Sequence, residues 1–228
     1  MKRLFAPMTA PMTGPMTGLM IALLAAPPLA AHPHIFIDTG LTLAFDRDGR
    51  LARVKVTWVY DTFYSLLITE DMALDPDFDG VLSAAELDRL TGFDMKWQDG
   101  FNGDLEVLQG GQRLPLSGPH EVTAAFAEGR ITTTHWRDVG PVQALGAGYE
   151  IRPFDATYYT AYDMTLPIRF TGTQACTARV QMPDMSGNLS ALLNELSTLD
   201  ADTTPQDAGL PDIGERLAQK VRVTCAAS

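Results

Sequence analysis

The sequence predicts an α+β fold, in which an antiparallel, β-rich, sandwich-like domain carries an inserted helix–loop–helix and ends in short C-terminal helices. Three observations predict it. Residues 34–45 and 51–60 alternate apolar and polar side chains around an Asp-Arg-Asp-Gly turn, as in a β-hairpin. Residues 62–74 and 84–91 have helical spacing on either side of an acidic loop. From residue 105 onward, short apolar runs alternate with turn residues, which is typical of an antiparallel sandwich or barrel.

The helix–loop–helix is expected at about 62–92. In its first segment, Phe63, Leu66 and Leu67 suit a helix with one apolar face. The acidic loop spans about 75–83, and Gly92 can cap the second helix. Further strands are predicted at 105–108, 113–116, 121–127, 131–136, 149–154, 164–170, 178–182 and 220–225, with helices at 190–199 and 212–219 and a polar linker at 201–209.

The N-terminal residues 1–31 have the pattern of a secretory signal peptide. Lys2 and Arg3 precede an apolar run at 19–26 and small residues at 29–31. A bilayer-spanning helix needs about 20 apolar residues. Neither this run nor any later segment is that long, so we expect no transmembrane segment in the mature chain. Residues 32–228 then form a single exported β-rich domain, most simply in the bacterial periplasm.

Composition and charge exclude several classes of function. Of the 228 residues, 46% are hydrophobic and 20% are charged, as in ordinary globular proteins. The formal net charge is −11 and no block rich in Lys and Arg occurs, so nucleic acid is not an expected partner. The sequence also lacks the G-x-S-x-G, H-E-x-x-H and P-loop motifs, and we therefore expect a protein that is not an enzyme.

The two cysteines, Cys176 and Cys225, both lie in the predicted mature chain. In an oxidising compartment a disulfide between them is the default expectation. By the chain-entropy relation, such a bond contributes about 4 kcal/mol for a loop of this length. The alternative is a redox or thiolate metal site, although metal-binding thiolates usually occur as close C-x-x-C pairs.

The acidic loop matches the calcium-binding EF-hand pattern by its spacing. Carboxylates occupy the first, third and fifth positions, a glycine allows the sharp bend at the sixth, and a glutamate closes the twelfth. Phe78 and Pro76 depart from the common pattern, and no second loop is present to pair with this one. The predicted Ca²⁺ ligands are Asp75, Asp77, Asp79, the carbonyl of Val81, Ser83 and Glu86.

A second interpretation of the same residues needs no metal. Asp-Gly sequences form solvated turns, and Ser83 is a suitable N-cap for the helix that follows. We weigh calcium above this interpretation because the full ligand pattern is present. In an exported protein a calcium site of this kind serves stability more naturally than signalling.

Two of the four histidines lie at the predicted mature N-terminus. His32 would carry the free amine, and His34 shares a strand face with Asp38. Two imidazoles and a carboxylate suit Zn²⁺, Ni²⁺ or Co²⁺. A complete site needs further ligands, for which His135 and Asp155 are candidates. The alternative is a frayed terminus with solvated histidines.

Tyrosines and aspartates are concentrated at 154–163. We interpret this run as a sheet edge or corner, in which buried rings have hydrogen-bonded hydroxyls.

Several segments together resemble one bacterial periplasmic family, called domain of unknown function 1007. They are AHPHxFxD at 31–38, VTWxxDxxYS at 56–65, the acidic loop at 75–87, DxTYYxxY at 155–162 and RVTC at 222–225. Members of this family are often described as periplasmic components of an uncharacterised ABC-type transport system and accompany nickel/cobalt permeases. By this resemblance His32 and His34 would be transition-metal residues, and residues 75–86 the calcium loop.

Two hypotheses of function follow. The first is a non-enzymatic metal-binding protein that is accessory to a nickel, cobalt or zinc transport system, with a membrane metal permease as its partner. The second is a calcium-stabilised binding module that recognises a protein or an envelope component and has no transition-metal role. A weaker third possibility is a hydrolase that uses a metal-bound water.

Overall fold

The structure is a computed structural model that describes residues 33–140, 148–172, 175–199, 203, 207–209 and 213–226. Within these residues the chain forms eleven strands and four helices. They are β1 (Ile35–Phe45), β2 (Leu51–Tyr60), α1 (Thr62–Asp71), α2 (Ala84–Leu90), β3 (Leu105–Gln109), β4 (Gln112–Arg113), β5 (His120–Ala127), β6 (Arg130–Asp138), β7 (Tyr149–Pro153), β8 (Thr160–Asp163), β9 (Ile168–Thr171), β10 (Cys176–Gln181), α3 (Asn188–Leu196), α4 (Gly214–Leu217) and β11 (Lys220–Cys225).

The strands form two sheets. The first sheet has the order β5-β6-β2-β1, and β8 and β9 both pair with the outer edge of β1. The second sheet has the order β10-β11-β7-β3-β4. The predicted hairpin is the pair β1–β2, in which Ile37 lies opposite Tyr60. The β-rich α+β class predicted from the sequence is confirmed.

One core joins the two sheets. Alternation along β2 buries every second side chain from Val54 to Tyr60, and these contact apolar residues of β3, β7 and β11. The rings of Phe45 and Tyr149 meet across the sheets with centroids 5.9 Å apart. The backbone N–H of Leu51 donates to the Tyr149 hydroxyl at 3.2 Å. The sheets are therefore held by apolar packing and by a polar contact at one end.

The first sheet is mixed rather than wholly antiparallel, because β8 and β9 run parallel to β1. The chain reaches them from β7 of the second sheet, so no tight hairpin imposes an antiparallel direction. Of the strand predicted at 164–170, only residues 168–170 are strand, in β9; residues 164–167 connect β9 to β8, which was not predicted as a strand. Between them Leu166 lies against Gly40, whose missing side chain makes room for it. Pro167 also has no N–H with which to continue a ladder.

The predicted disulfide is confirmed. Cys176 and Cys225 are bonded across the antiparallel pair β10–β11, where they lie directly opposite each other with Cα atoms 4.0 Å apart. The bond ties the last strand to β10 at one edge of the second sheet. The described part of the chain contains no helix that is long and apolar enough to cross a membrane.

Helix α1 buries two small polar side chains against the sheet. The buried residues of α1 are Ser65 and Thr69, whereas Phe63, Leu66 and Leu67 are exposed. The Ser65 Oγ accepts a 3.0 Å hydrogen bond from the backbone N–H of Ile131 on β6. The helix predicted here is therefore present. Its Tyr64 and Ile68 side chains also pack against the core, while the other large apolar side chains are exposed.

Candidate metal centre

The acidic loop connects α1 to α2, and three leucines anchor it. Leu74 before the loop, Leu82 within it and Leu90 in α2 are buried in the common core. Between them the backbone turns sharply, with positive φ at Asp75, Phe78 and Gly80. The loop is thus fixed at both ends while its acidic middle lies at the surface.

Backbone amides hold the loop in its curled shape. The Asp75 carboxylate accepts hydrogen bonds from the N–H groups of Asp79 and Gly80, each at 3.0 Å. The Asp79 carboxylate accepts from the N–H of Val81 at 2.8 Å. Asp75, Asp77 and Asp79 each bring one ligand oxygen within 4.8 Å of the other two, a cluster with no second example among the described residues.

Glu86 closes the loop from the first turn of α2. Its Oε1 accepts from the N–H of Asp75 at 3.0 Å. Its Oε2 accepts from the N–H and the hydroxyl of Ser83 at 2.8 and 2.7 Å. Ser83 is the N-cap of α2, and the two residues form a capping box. The Ser83 hydrogen bonds lower the pKa of Glu86, which keeps the carboxylate ionised.

This donor set fits calcium. Hard cations prefer oxygen ligands, and Ca²⁺ takes six to eight of them. Three carboxylates lie together, and Glu86 touches the backbone of the first of them. The same Ser83–Glu86 contacts cap α2. They are therefore also expected if the loop is a solvated turn without a metal.

The N-terminal candidates are placed differently. His34 precedes β1, and its ring centroid lies 4.7 Å from that of Tyr159. The Asp38 carboxylate accepts hydrogen bonds from Thr165 at 2.5 Å and from Arg130 at 2.7 Å. These two contacts hold the pKa of Asp38 below its usual value. His32 lies outside the described residues, as does the predicted signal peptide at 1–31.

Among the described residues, no group of three possible metal ligands includes His34 or either of the further candidates, His135 and Asp155. His135 is 0% exposed on β6, with its ring between those of Trp58 and Trp97 at 4.9 and 5.7 Å. The Asp155 carboxylate accepts from the N–H groups of Thr157 and Thr160 and so closes its own turn. His135 is therefore packed between two tryptophan rings, and Asp155 stabilises its own turn.

Two buried contacts between an aspartate and a tyrosine were not predicted from the sequence. Asp94 accepts hydrogen bonds from the hydroxyls of Tyr60 and Thr133, each at 2.7 Å. Asp104 accepts from the Tyr162 hydroxyl at 2.7 Å. Burial raises the pKa of both acids. Tyr162 belongs to the tyrosine-rich run, for which a buried ring with a bonded hydroxyl was expected, but its partner is too distant in sequence for spacing to indicate it.

Comparison with known families places the chain. A family model described as "Protein of unknown function (DUF1007)" matches residues 17–225. The chain belongs to this family. The DUF1007 match spans the acidic loop, the N-terminal histidines and both cysteines, and it confirms the resemblance noted from the sequence motifs. No curated protein matches this DUF1007 chain.

Proposed function

We propose that the protein is an exported, non-enzymatic metal-binding protein that binds Ca²⁺ through residues 75–86. The observation that carries this proposal is the cluster of Asp75, Asp77 and Asp79, whose ligand oxygens lie within 4.8 Å of one another. Calcium supplies the positive charge that offsets repulsion among these carboxylates. Glu86 and the Val81 carbonyl complete the proposed ligand set, with Ser83 as the ninth-position ligand.

Calcium at this position would have a stabilising role. The loop joins α1 to α2, and its flanking leucines are part of the core, so a bound ion would resist local opening of the whole insertion. Ligation by Glu86 would replace its hydrogen bonds to Ser83 and Asp75. Extracellular calcium modules work at roughly 0.1–1 mM, the range we expect here. Export is supported by the Cys176–Cys225 disulfide, because such bonds persist in oxidising compartments.

The test of calcium binding is titration calorimetry together with thermal unfolding, on protein purified without chelators and then treated with EDTA. At a calcium concentration about 100 times the Kd, we expect about 2.7 kcal/mol of stabilisation. Asp77→Asn and Glu86→Gln should remove most of this effect. Asp88→Asn, an exposed acid of α2 outside the loop, is the matched control. Equal calcium responses in all three variants would refute the assignment.

We also propose that the protein is accessory to a nickel, cobalt or zinc transport system, with a membrane metal permease as its partner. This role rests on His32 and His34, because the Asp38 carboxylate is already engaged by Arg130 and Thr165. The experiment is the metal content of untagged protein exported to a bacterial periplasm, measured by mass spectrometry. One equivalent of a transition metal, lost in the His32→Ala/His34→Ala variant, supports the role. Calcium alone argues against it.

The second candidate function is a calcium-stabilised binding module without a transition-metal role. It is favoured by the exposed apolar residues Phe63, Leu66 and Leu67 on α1, the helix that precedes the acidic loop. Under this hypothesis the two histidine substitutions leave the function unchanged, whereas Glu86→Gln lowers stability in calcium. Binding or transport phenotypes of the histidine variant therefore separate the two candidates.

A further inference from the structure

Exposed apolar side chains are concentrated on one part of the molecule. Of the ten large hydrophobic residues that are exposed in the described chain, five lie between residues 62 and 81. Phe78 is 81% exposed, and Phe63 and Val81 are each 66% exposed. Scattered apolar residues are normal on protein surfaces, but a contiguous group marks an interaction site. The five are Phe63, Leu66, Leu67, Phe78 and Val81.

Two of these residues, Leu66 and Phe78, line a groove, which we call the α1 groove. It lies between α1, the acidic loop and the turn that joins β5 to β6, and its volume is about 340 Å³. Its apolar lining is Leu66, Leu74, Phe78 and Phe126. A groove of this size falls within the range of specific binding sites. From α1 the groove receives Leu66 and Glu70, one apolar and one acidic side chain. An amphipathic helix that lays its apolar face into such a groove is a common mode of peptide recognition.

The charges around the α1 groove select its occupant. Glu70 and Asp75 line it, and Asp71 and Glu128 are exposed close by. No Lys or Arg is among its lining residues in the described part of the chain. Arg130, beyond the β5–β6 turn, is bound to Asp38 and to the carbonyls of β2. The groove therefore has an apolar floor and a negative rim.

We propose that the α1 groove binds an apolar, positively charged helical segment of a partner protein. Such a segment buries its apolar side chains against Leu66 and Phe78 and places Lys or Arg beside Glu70. A second copy of this chain would bring the same negative rim against itself, and the net charge of −11 opposes that. An anionic membrane surface is opposed for the same reason.

This inference deepens the binding-module hypothesis and rests on the folded loop, not on a bound ion. The probe is a short fluorescein-labelled peptide of leucine and lysine in an amphipathic helical pattern, and its matched control has glutamate in place of lysine. Fluorescence anisotropy with the purified protein should show the lysine peptide binding at least about tenfold more tightly. Each titration is run in EDTA and in calcium, so that loss of calcium binding and loss of peptide binding are separate results.

Three substitutions locate the binding. Leu66→Gln and Phe78→Asn should each weaken the lysine peptide by about tenfold, a change of about 1.4 kcal/mol. Glu70→Lys should weaken the lysine peptide and strengthen the glutamate peptide. Met182→Gln, an exposed apolar residue that follows β10, is the control and should change neither. All four positions are exposed, so circular dichroism should show folded variants.

Several outcomes overturn the proposal. Equal binding of both peptides, or the same binding by wild type and by the Leu66 and Phe78 variants, means adsorption without a site. A dimer in analytical ultracentrifugation that Phe78→Asn dissociates would assign the groove to a second copy. Flotation with vesicles of phosphatidylcholine and phosphatidylglycerol, lost in the same variant, would assign it to a membrane surface.

Discussion

The hydroxyl of Tyr162 on β8 donates a 2.7 Å hydrogen bond to Oδ2 of Asp104, the residue before β3, and so links the first sheet to the second. Burial raises the pKa of Asp104 to about 7, the Tyr162 hydrogen bond opposes that rise, and the charge of Asp155 adds to it. A carboxyl group inside a β-rich core is costly unless it is bonded. The stability of the protein should therefore depend on the Tyr162 hydroxyl and on the protonation of Asp104.

Tyr162→Phe should lower the free energy of unfolding by about 1–2 kcal/mol, because it leaves a buried carboxyl without its donor. Urea unfolding at neutral pH measures the change. Tyr158→Phe is the matched control, since that half-buried tyrosine has no hydroxyl hydrogen bond within the described residues. A loss equal to that of the control would show that the Tyr162 hydroxyl contributes nothing beyond its ring.

Asp104 and His135 make opposing contributions to the pH dependence of stability. Asp104 has its folded pKa raised from 3.8 to about 7, so its contribution is present below pH 3.8 and is lost as pH rises towards 7. His135 has its folded pKa lowered from 6.5 to about 3 by burial, and then by the charges of Arg137 and His120. Its contribution is present above pH 6.5 and is lost as pH falls towards 3. Between pH 3.8 and 6.5, rising pH therefore lowers stability through Asp104 and raises it through His135.

Asp104→Asn should leave the contribution of His135 to the pH dependence of stability unopposed by Asp104. In this variant stability should rise with pH between about 4 and 6, by up to about 1.4 kcal/mol per pH unit. The wild-type protein should be flatter over the same range. Urea unfolding at a series of pH values gives both curves, and His135→Gln, whose stability should instead fall with rising pH, is the companion variant. Parallel curves for Asp104→Asn and wild type would contradict the pKa shift of Asp104.

On α1, Ser65 should contribute more to the stability of the protein than Leu67. Ser65→Ala should destabilise the protein by about 1–3 kcal/mol, because the N–H of Ile131 loses its acceptor inside the molecule. Leu67→Ala, on the exposed side of the same helix, should change stability by less than about 0.5 kcal/mol. Chemical unfolding of the two variants compares them directly. A larger loss for Leu67→Ala would mean that the helix packs on its apolar face.

Phe78→Asn should stabilise the metal-free protein by about 0.5–1 kcal/mol. Phe78 has a positive φ, a conformation that costs most side chains energy and that asparagine tolerates. Unfolding in EDTA measures the gain. Val81→Asn is the control, because Val81 is another exposed apolar loop position and has no positive φ. A gain of the same size in the control would locate the effect in lost apolar exposure instead of backbone conformation.

Local patterns predicted much of the molecule. Alternation gave β1 and β2 nearly to the residue, since side chains in a strand alternate between faces whatever the partner sheet is. The Asp75–Asp77–Asp79 spacing and the Ser83 cap act within a few residues of themselves, and the structure brings them together as expected. Cys176 and Cys225 could pair only with each other, because the chain has two cysteines.

Other features depend on residues that are far apart in the chain. The parallel pairing of β8 and β9 with β1 follows from a crossing between sheets, and the Tyr162–Asp104 contact joins positions 58 residues apart. The sequence predicted that Phe63, Leu66 and Leu67 share an apolar helix face, but a helical pattern does not say which side meets the sheet, and these three residues are exposed. Asp38 shares a strand face with His34, as alternation predicts, yet Arg130 and Thr165 engage its carboxylate.

The sequence by itself determined the β1–β2 hairpin, the acidic loop and the disulfide, because backbone alternation, turn chemistry and cysteine number act over short range or leave one choice. Only the tertiary structure decided which polar groups are buried together and which apolar face remains exposed. Burial depends on what the rest of the chain places against a residue, and that sets both the raised pKa of Asp104 and the exposure of Phe63 and Phe78.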